Sequence, residues 1–206
     1  MPLQNRAQPN GDIIAHPARG QFMGNRGILH DDAQKLGTSR WRHKAWVCCA
    51  LEFKNRKRQV MAPHNYTELF FYDEAVALAA GHRPCAECRR DDFMAFKHAF
   101  EFCAGRRLMA PEMDQILHPE RVTRNRQKIT YWSAPEDLPD GTFIRHENQA
   151  HIVWANLAIS FSPIGYGATA PLPKRQVEVL TPRTTVAVMA AGYRAATHEA
   201  LRSRFS

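Results

Sequence analysis

Ten residues constrain this chain more than any others: Gly81-His82-Arg83-Pro84-Cys85-Ala86-Glu87-Cys88-Arg89-Arg90. A Cys-x-x-Cys turn aims two thiols at one centre, with backbone N–H groups free to hydrogen-bond the sulfurs. That pattern suits a zinc knuckle or a redox pair. Arg83, Arg89 and Arg90 put three cations beside the thiols, which favours thiolate over thiol. A redox pair would sit in a thioredoxin-like βαβ pattern, and none surrounds it.

The flanks fix the local structure. Residues 66–72, Tyr-Thr-Glu-Leu-Phe-Phe-Tyr, read as an aromatic-rich strand. Asp73 is placed to cap a short helix over 74–80, and Gly81 to end it. Pro84 suits the first turn of a second helix, on which Phe93, Phe96, Phe100 and Cys103 form one apolar stripe. Cys103 is therefore expected in the core.

Upstream, residues 40–58 hold seven cations (Arg40, Arg42, Lys44, Lys54, Arg56, Lys57 and Arg58) against the single acid Glu52. Alternation in 45–53 predicts a strand with Val47, Cys49, Leu51 and Phe53 on a core face. Trp46 and Cys48 then face the other way, so Cys48 and Cys49 do not share a metal. Residues 54–58 read as a basic hairpin tip, a device for phosphate contact or a charged guard for a strand edge. The return strand begins at 59–61. Before it, three glycines and two arginines (Arg19 and Arg26) fall within residues 19–27. That spacing allows a backbone loop that approaches a phosphate, or an ordinary surface loop. Residues 1–10 read as a loose arm.

The run from Phe70 to Arg89 resembles the second half of the zinc-binding module of the Ada DNA-repair protein: aromatic pair, Ala-rich helix, then Arg-Pro-Cys-x-x-Cys-Arg. The resemblance covers roughly residues 45–90. In that module four cysteines bind zinc, and the first accepts a methyl group from a damaged DNA phosphate. It implies zinc on Cys49, Cys85 and Cys88. Phe53 stands where the module's second cysteine falls, so His64 or His30 is needed to complete a Cys3His site. With the four-thiolate site incomplete, methylation of Cys49 is not expected. The whole chain also resembles a group of uncharacterised bacterial proteins sharing Met23-Gly24-Asn25-Arg26-Gly27, Tyr66 to Phe71 and Leu138-Pro139-Asp140-Gly141, a likeness that implies no chemistry.

Charge supports an anionic partner. Lys plus Arg number 28 against 20 Asp plus Glu, a net +8 over 206 residues. Five cysteines, no leader and no long apolar run predict a cytoplasmic protein with free or metal-bound thiols and no membrane partner. Nucleic acid, with DNA foremost, is the expected partner. Its contacts are expected from Arg19, Arg26, Arg40, Arg42, Lys54, Arg56, Lys57, Arg58, Arg83, Arg89 and Arg90.

A rival reading is a metal-assisted hydrolase or nuclease. Asp114 and His118 share a face of a helix begun by Pro111, and Glu120 follows past a bend at Pro119. Solvation of a helix end explains the same residues. The fold expected is α+β: a treble-clef-like strand–hairpin–strand–helix module over residues 1–108, then a helical connector and β-rich part over 109–206, sharing one core. In the second part, strands are expected at 142–145, 151–154, 157–161 and 177–180, with a tight turn at 155–156 and a loop at 163–167. A closing helix starts at Pro182 and stops at Gly192.

Overall fold

The computed structural model describes residues 1–56 and 59–205. Lys57 and Arg58 of the expected basic tip lie outside the described residues. The chain is α+β, with two six-stranded sheets.

The first sheet comprises β1 (Gln4–Ala7), β2 (Ile13–Ala15), β3 (Phe22–Asn25), β4 (Val47–Ala50), β5 (Leu69–Phe71) and the two-residue β6 (Arg83–Pro84). Its order is β2-β1-β5-β3-β4-β6. Residues 1–10 are thus not a loose arm: β1 lies inside the sheet, parallel to β5 and antiparallel to β2. Only Asn5 and Ala7 face inward, and so small an apolar content reads as disordered. Within the glycine-rich stretch, residues 22–25 form a strand and only the flanks are loop. Gly24 sits in the middle of β3, where a Cβ would lie 2.0 Å from the Val47 carbonyl oxygen. Close strand approach, rather than phosphate approach, is what glycine provides there.

The alternation in β4 is present, but its sides are reversed. Trp46 and Cys48 are the buried residues, whereas Cys49 is half-buried and Leu51 is 47% exposed. Among the described residues no hairpin returns beside β4. It pairs antiparallel with β3 and parallel with β6, and β5 pairs with β3 instead. The expected strand–hairpin–strand is therefore a sheet with β3 inserted between the two strands.

Helix α1 (Glu74–Ala79) is capped as expected: Asp73 Oδ1 accepts from the Val76 N–H at 3.0 Å, and Gly81 leaves the helix at φ +91°. Helix α2 (Arg90–Ala104) starts beyond the Cys-x-x-Cys turn, since Pro84 belongs to β6. Phe93, Phe96 and Phe100 are buried, but Cys103 is exposed, because the core stops at Phe100 and the last turn runs past it. Helix α3 (Ala110–Arg121) continues through Pro119 without ending.

The second sheet is antiparallel throughout: β7 (Tyr131–Ser133), β8 (Phe143–His146), β9 (Gln149–Trp154), β10 (Leu157–Ser162), β11 (Gly165–Pro171) and β12 (Val177–Val179), in the order β11-β10-β9-β8-β12-β7. Ala155 and Asn156 form the tight β9–β10 turn with φ +49° and +60°. The expected loop at 163–167 instead opens strand β11. Helices α4 (Arg183–Ala190) and α5 (Glu199–Arg202) close the chain.

Two apolar clusters form the core, and each draws on both sheets' halves of the chain. One joins Leu69, Phe71 and the α1 alanines to Phe143, Ile152 and Phe161. The other joins Leu78, Phe96, Met113 and Leu117 to Ile144, Val153 and Met189. Two carboxylates at the start of α1 fasten the C-terminal segment. Asp73 accepts from Tyr166 Oη at 2.6 Å and the His198 N–H at 3.0 Å. Glu74 accepts from Tyr193 Oη and the Ala196 N–H, both at 2.7 Å. Among the described residues, no helix is long and apolar enough to cross a membrane.

Candidate metal centre

Strand pairing brings the thiols together. Val47 and Cys48 of β4 pair with Arg83 and Pro84 of β6, and the Cys85 N–H extends the ladder by donating to the Cys48 carbonyl at 2.9 Å. Cys85 therefore leaves the sheet alongside Cys49, and the turn brings Cys88 back to the same point. The sulfurs of Cys49, Cys85 and Cys88 all lie within 4.8 Å of one another. A tetrahedral zinc with bonds of ~2.3 Å requires sulfurs about 3.8 Å apart, so small adjustments close the set on an ion. Among the described residues this is the only group of three or more His, Cys, Asp or Glu side chains with metal-binding spacing.

The three thiols differ in acidity. Cys85 is held down to about 5: the Cys49 thiol donates to it, and the backbone N–H groups of Cys88 and Glu87 add further donors. The Glu87 N–H lies 3.4 Å from Cys85 Sγ. Cys49 is pushed up because it gives its hydrogen to Cys85 and because it is buried. Cys88 is raised by burial and by the neighbouring Cys85 charge, against a favourable backbone donor at Ala50. Cys85 is the thiolate of the set, and hydrogen bonds make it so.

Two of the three arginines expected to activate the thiols have other partners. Arg83 grips Asp114 with two hydrogen bonds, at 3.0 and 2.6 Å. Arg89 pairs with the buried Glu74 at 2.7 Å and donates to Cys48 Sγ at 3.4 Å. Cys48 faces the core, away from the metal set, as strand alternation requires.

A cleft of about 620 Å³ opens beside the thiols, with Met23, Phe53 and Phe70 as apolar walls and Asn25, Tyr66 and Glu68 as polar ones. Phe53 thus lines the site without ligating. Glu68 Oε2 accepts from the Met61 N–H at 2.7 Å, while Oε1 is buried with no hydrogen-bond partner. Sequence reasoning missed Glu68, whose only signal was an acid in a strand of aromatics. The expected fourth ligands lie elsewhere. His64 is exposed and outside the thiol group. His30 is bonded to Thr67 Oγ1 at 2.6 Å and faces the Ala62 carbonyl at 3.3 Å.

Asp114, His118 and Glu120 do not converge. Both oxygens of Asp114 are held by Arg83. Glu120 caps α4, accepting from Thr184 N–H and Oγ1 at 2.7 Å each. His118 packs edge-on against Trp41 and Trp46, its pKa lowered by burial first and then by Arg121 and Lys44. One helix face carries Asp114 and His118, as the spacing required, but each side chain has a structural partner.

Of the expected phosphate contacts, Arg19, Arg42, Lys54 and Arg90 are exposed and Arg40 is half-buried. Arg56 forms an exposed pair with Glu87 at 2.6 Å, beside the thiols. Arg26, Arg83 and Arg89 are buried; Arg83 and Arg89 are held in ion pairs with Asp114 and Glu74, whereas Arg26 lines a separate cleft. Compared with known protein families, curated proteins and solved structures, the chain matches none.

Proposed function

We propose that this chain is a zinc-thiolate protein that binds nucleic acid, with DNA in repair or processing as its setting. The convergence of Cys49, Cys85 and Cys88 carries the reading. Three thiols, one already a thiolate, form a soft donor set that suits zinc. Bound zinc supplies a cross-link between β4 and the turn that leads into α2. Three protein ligands leave one position of a four-coordinate ion for a further group, and the cleft with Glu68 adjoins it. A reducing cytoplasm keeps such thiols available. Methyl transfer to Cys49 is no part of the proposal, because the four-thiolate site is incomplete, with Phe53 in place of one cysteine.

The net charge of +8 and the Ada-like half-motif support the nucleic-acid partner. Among the described residues, Arg19, Arg40, Arg42, Lys54 and Arg90 are expected contacts without a side-chain ion pair, and phosphate contacts position a strand without reading its sequence. Duplex oligonucleotide binding as a function of salt tests this. Replacing Arg42 and Lys54 by Ala is expected to weaken binding on all sequences alike and to flatten the log–log salt slope by roughly 0.9 per lost contact. Absence of binding at low salt by the intact protein removes the nucleic-acid reading and leaves the metal reading standing.

A further inference from the structure

A second cleft, of about 770 Å³, lies on the far side of β4 from the thiols. Its lining includes Arg26, Arg121 and Lys128, with Arg40, Arg126 and Arg145 also along it. The carboxylates on the lining are Asp12 and Glu178, and Glu178 is taken by Arg145 at 3.5 Å.

Burying cations together is costly unless an opposite charge joins them. Arg26 and Arg121 are each only 2% exposed. They lie over the Trp46 ring, 4.0 and 5.3 Å from its centroid. Arg26 donates to the Ala80 carbonyl at 2.9 Å and His82 Nε2 at 3.3 Å, neither of which is charged. Arg121 Nη1 donates to the Lys44 carbonyl at 2.7 Å, and Lys128 Nζ to the Ala79 carbonyl at 2.7 Å. The nearest acid, Asp114, lies 3.7 Å from Arg121 and is already held at both oxygens by Arg83. Arg121 Nε and Nη2 are buried with no hydrogen-bond acceptor. Buried donors on a charged group are expensive to leave unmade. The effect shows in all three cations: burial, then mutual repulsion with neighbours, holds Arg26 down to about 9 and Lys128 to about 7, while Arg121, partly relieved by Asp114, also falls to about 9.

We propose that this cleft is the binding site of a phosphate-class oxyanion, which supplies the opposite charge that Arg26, Arg121 and Lys128 require. Guanidinium forks and an ammonium around one concavity match the oxygens of a phosphate group. Two sources share that chemistry: a small phosphorylated molecule and a nucleic-acid strand. The site rests on its own geometry and does not depend on the zinc or nucleic-acid reading.

The test uses the full chain and follows its unfolding midpoint with inorganic phosphate, a mononucleotide or a short single-stranded oligonucleotide, against chloride at matched ionic strength. Phosphate at about a hundredfold excess over its Kd is expected to raise the midpoint by about 5 °C. Lys128→Met is expected to abolish that rise while raising the midpoint in phosphate-free buffer, because it removes a half-buried like charge. Arg126→Ala combined with Arg145→Ala changes exposed residues only and is expected to fold normally and weaken phosphate about tenfold. A mononucleotide that competes with phosphate where the oligonucleotide does not assigns the site to a small molecule, and the reverse assigns it to a strand. No response to phosphate beyond that to chloride overturns the proposal. So does an undiminished response in the Arg126/Arg145 variant together with any folded Lys128→Met protein.

Discussion

The two clefts on either side of β4 are electrostatic opposites. Val47 and Cys49 face one and Trp46 faces the other, while at the end of β3 Asn25 and Arg26 divide in the same way. The first gathers thiols, of which only Cys85 ionises readily, because the Cys49 thiol donates to it while burial disfavours charge on Cys88. The second gathers buried cations whose charges repel one another. In both, groups of one kind are held together by the sheet, and an ion of opposite sign would stabilise the arrangement. The difference lies in how the groups are fixed. The thiols sit on a strand and an adjoining turn, joined by backbone ladder bonds. The cations come from the residue that follows β3, from the end of α3 and from the segment ahead of β7, joined through the Trp46 ring and backbone carbonyls.

That comparison breaks first at Arg89, which stands between the thiol turn and the core. If its role is to hold Glu74 and Cys48 rather than to meet a ligand, Arg89→Met leaves Glu74 buried and unpaired. The expected cost is about 3–5 kcal/mol in urea-induced unfolding, with DNA affinity per folded molecule unchanged. A small stability loss with weakened DNA binding would return Arg89 to the surface contacts.

A smaller effect sharpens the cationic side. His82 is fully buried behind that cleft, and burial, then Arg26 and Arg121, pushes its pKa well below the usual 6.5. A depressed folded pKa means that the unfolded chain binds the proton first. The stability His82 carries is therefore whole above about pH 6.5 and falls as the pH drops toward the folded value, by up to about 1.4 kcal/mol per pH unit. His82→Phe is expected to flatten the acid limb of stability by that slope. Unfolding midpoints at pH 7.5 and 5.5 for both proteins decide it, and equal pH dependence contradicts the assignment.

The Cys85–Cys88 half of the thiol site was legible in the sequence because its signal is local, two cysteines three apart. Cys49 was reached through the resemblance to the Ada module, and alternation only separated it from Cys48. Alternation gives a period and not a side, however. Val47, Leu51 and Phe53 outweigh Trp46 and Cys48 in apolar count, yet they line an open cleft while Trp46 fills the interior. Helical spacing likewise placed Asp114 and His118 on one face but carried no sign of Arg83, 31 residues away, which takes the carboxylate. The cationic cleft had no local signature, since Arg26 and Arg121 meet only through the fold. Strand β1 escaped notice because it is four residues long with two buried side chains, and β7 and α5 because three or four residues hold no period.

Metal content tests the central claim most directly. Protein purified without added metal is expected to carry one zinc per chain, and Cys48→Ser, whose thiol faces the core, to keep it in whatever fraction folds. Cys49→Ser and Cys85→Ser are expected to lose it. Equal zinc in the intact protein and in Cys85→Ser, or none in the intact protein after zinc is supplied, would contradict a metal centre at the three thiols.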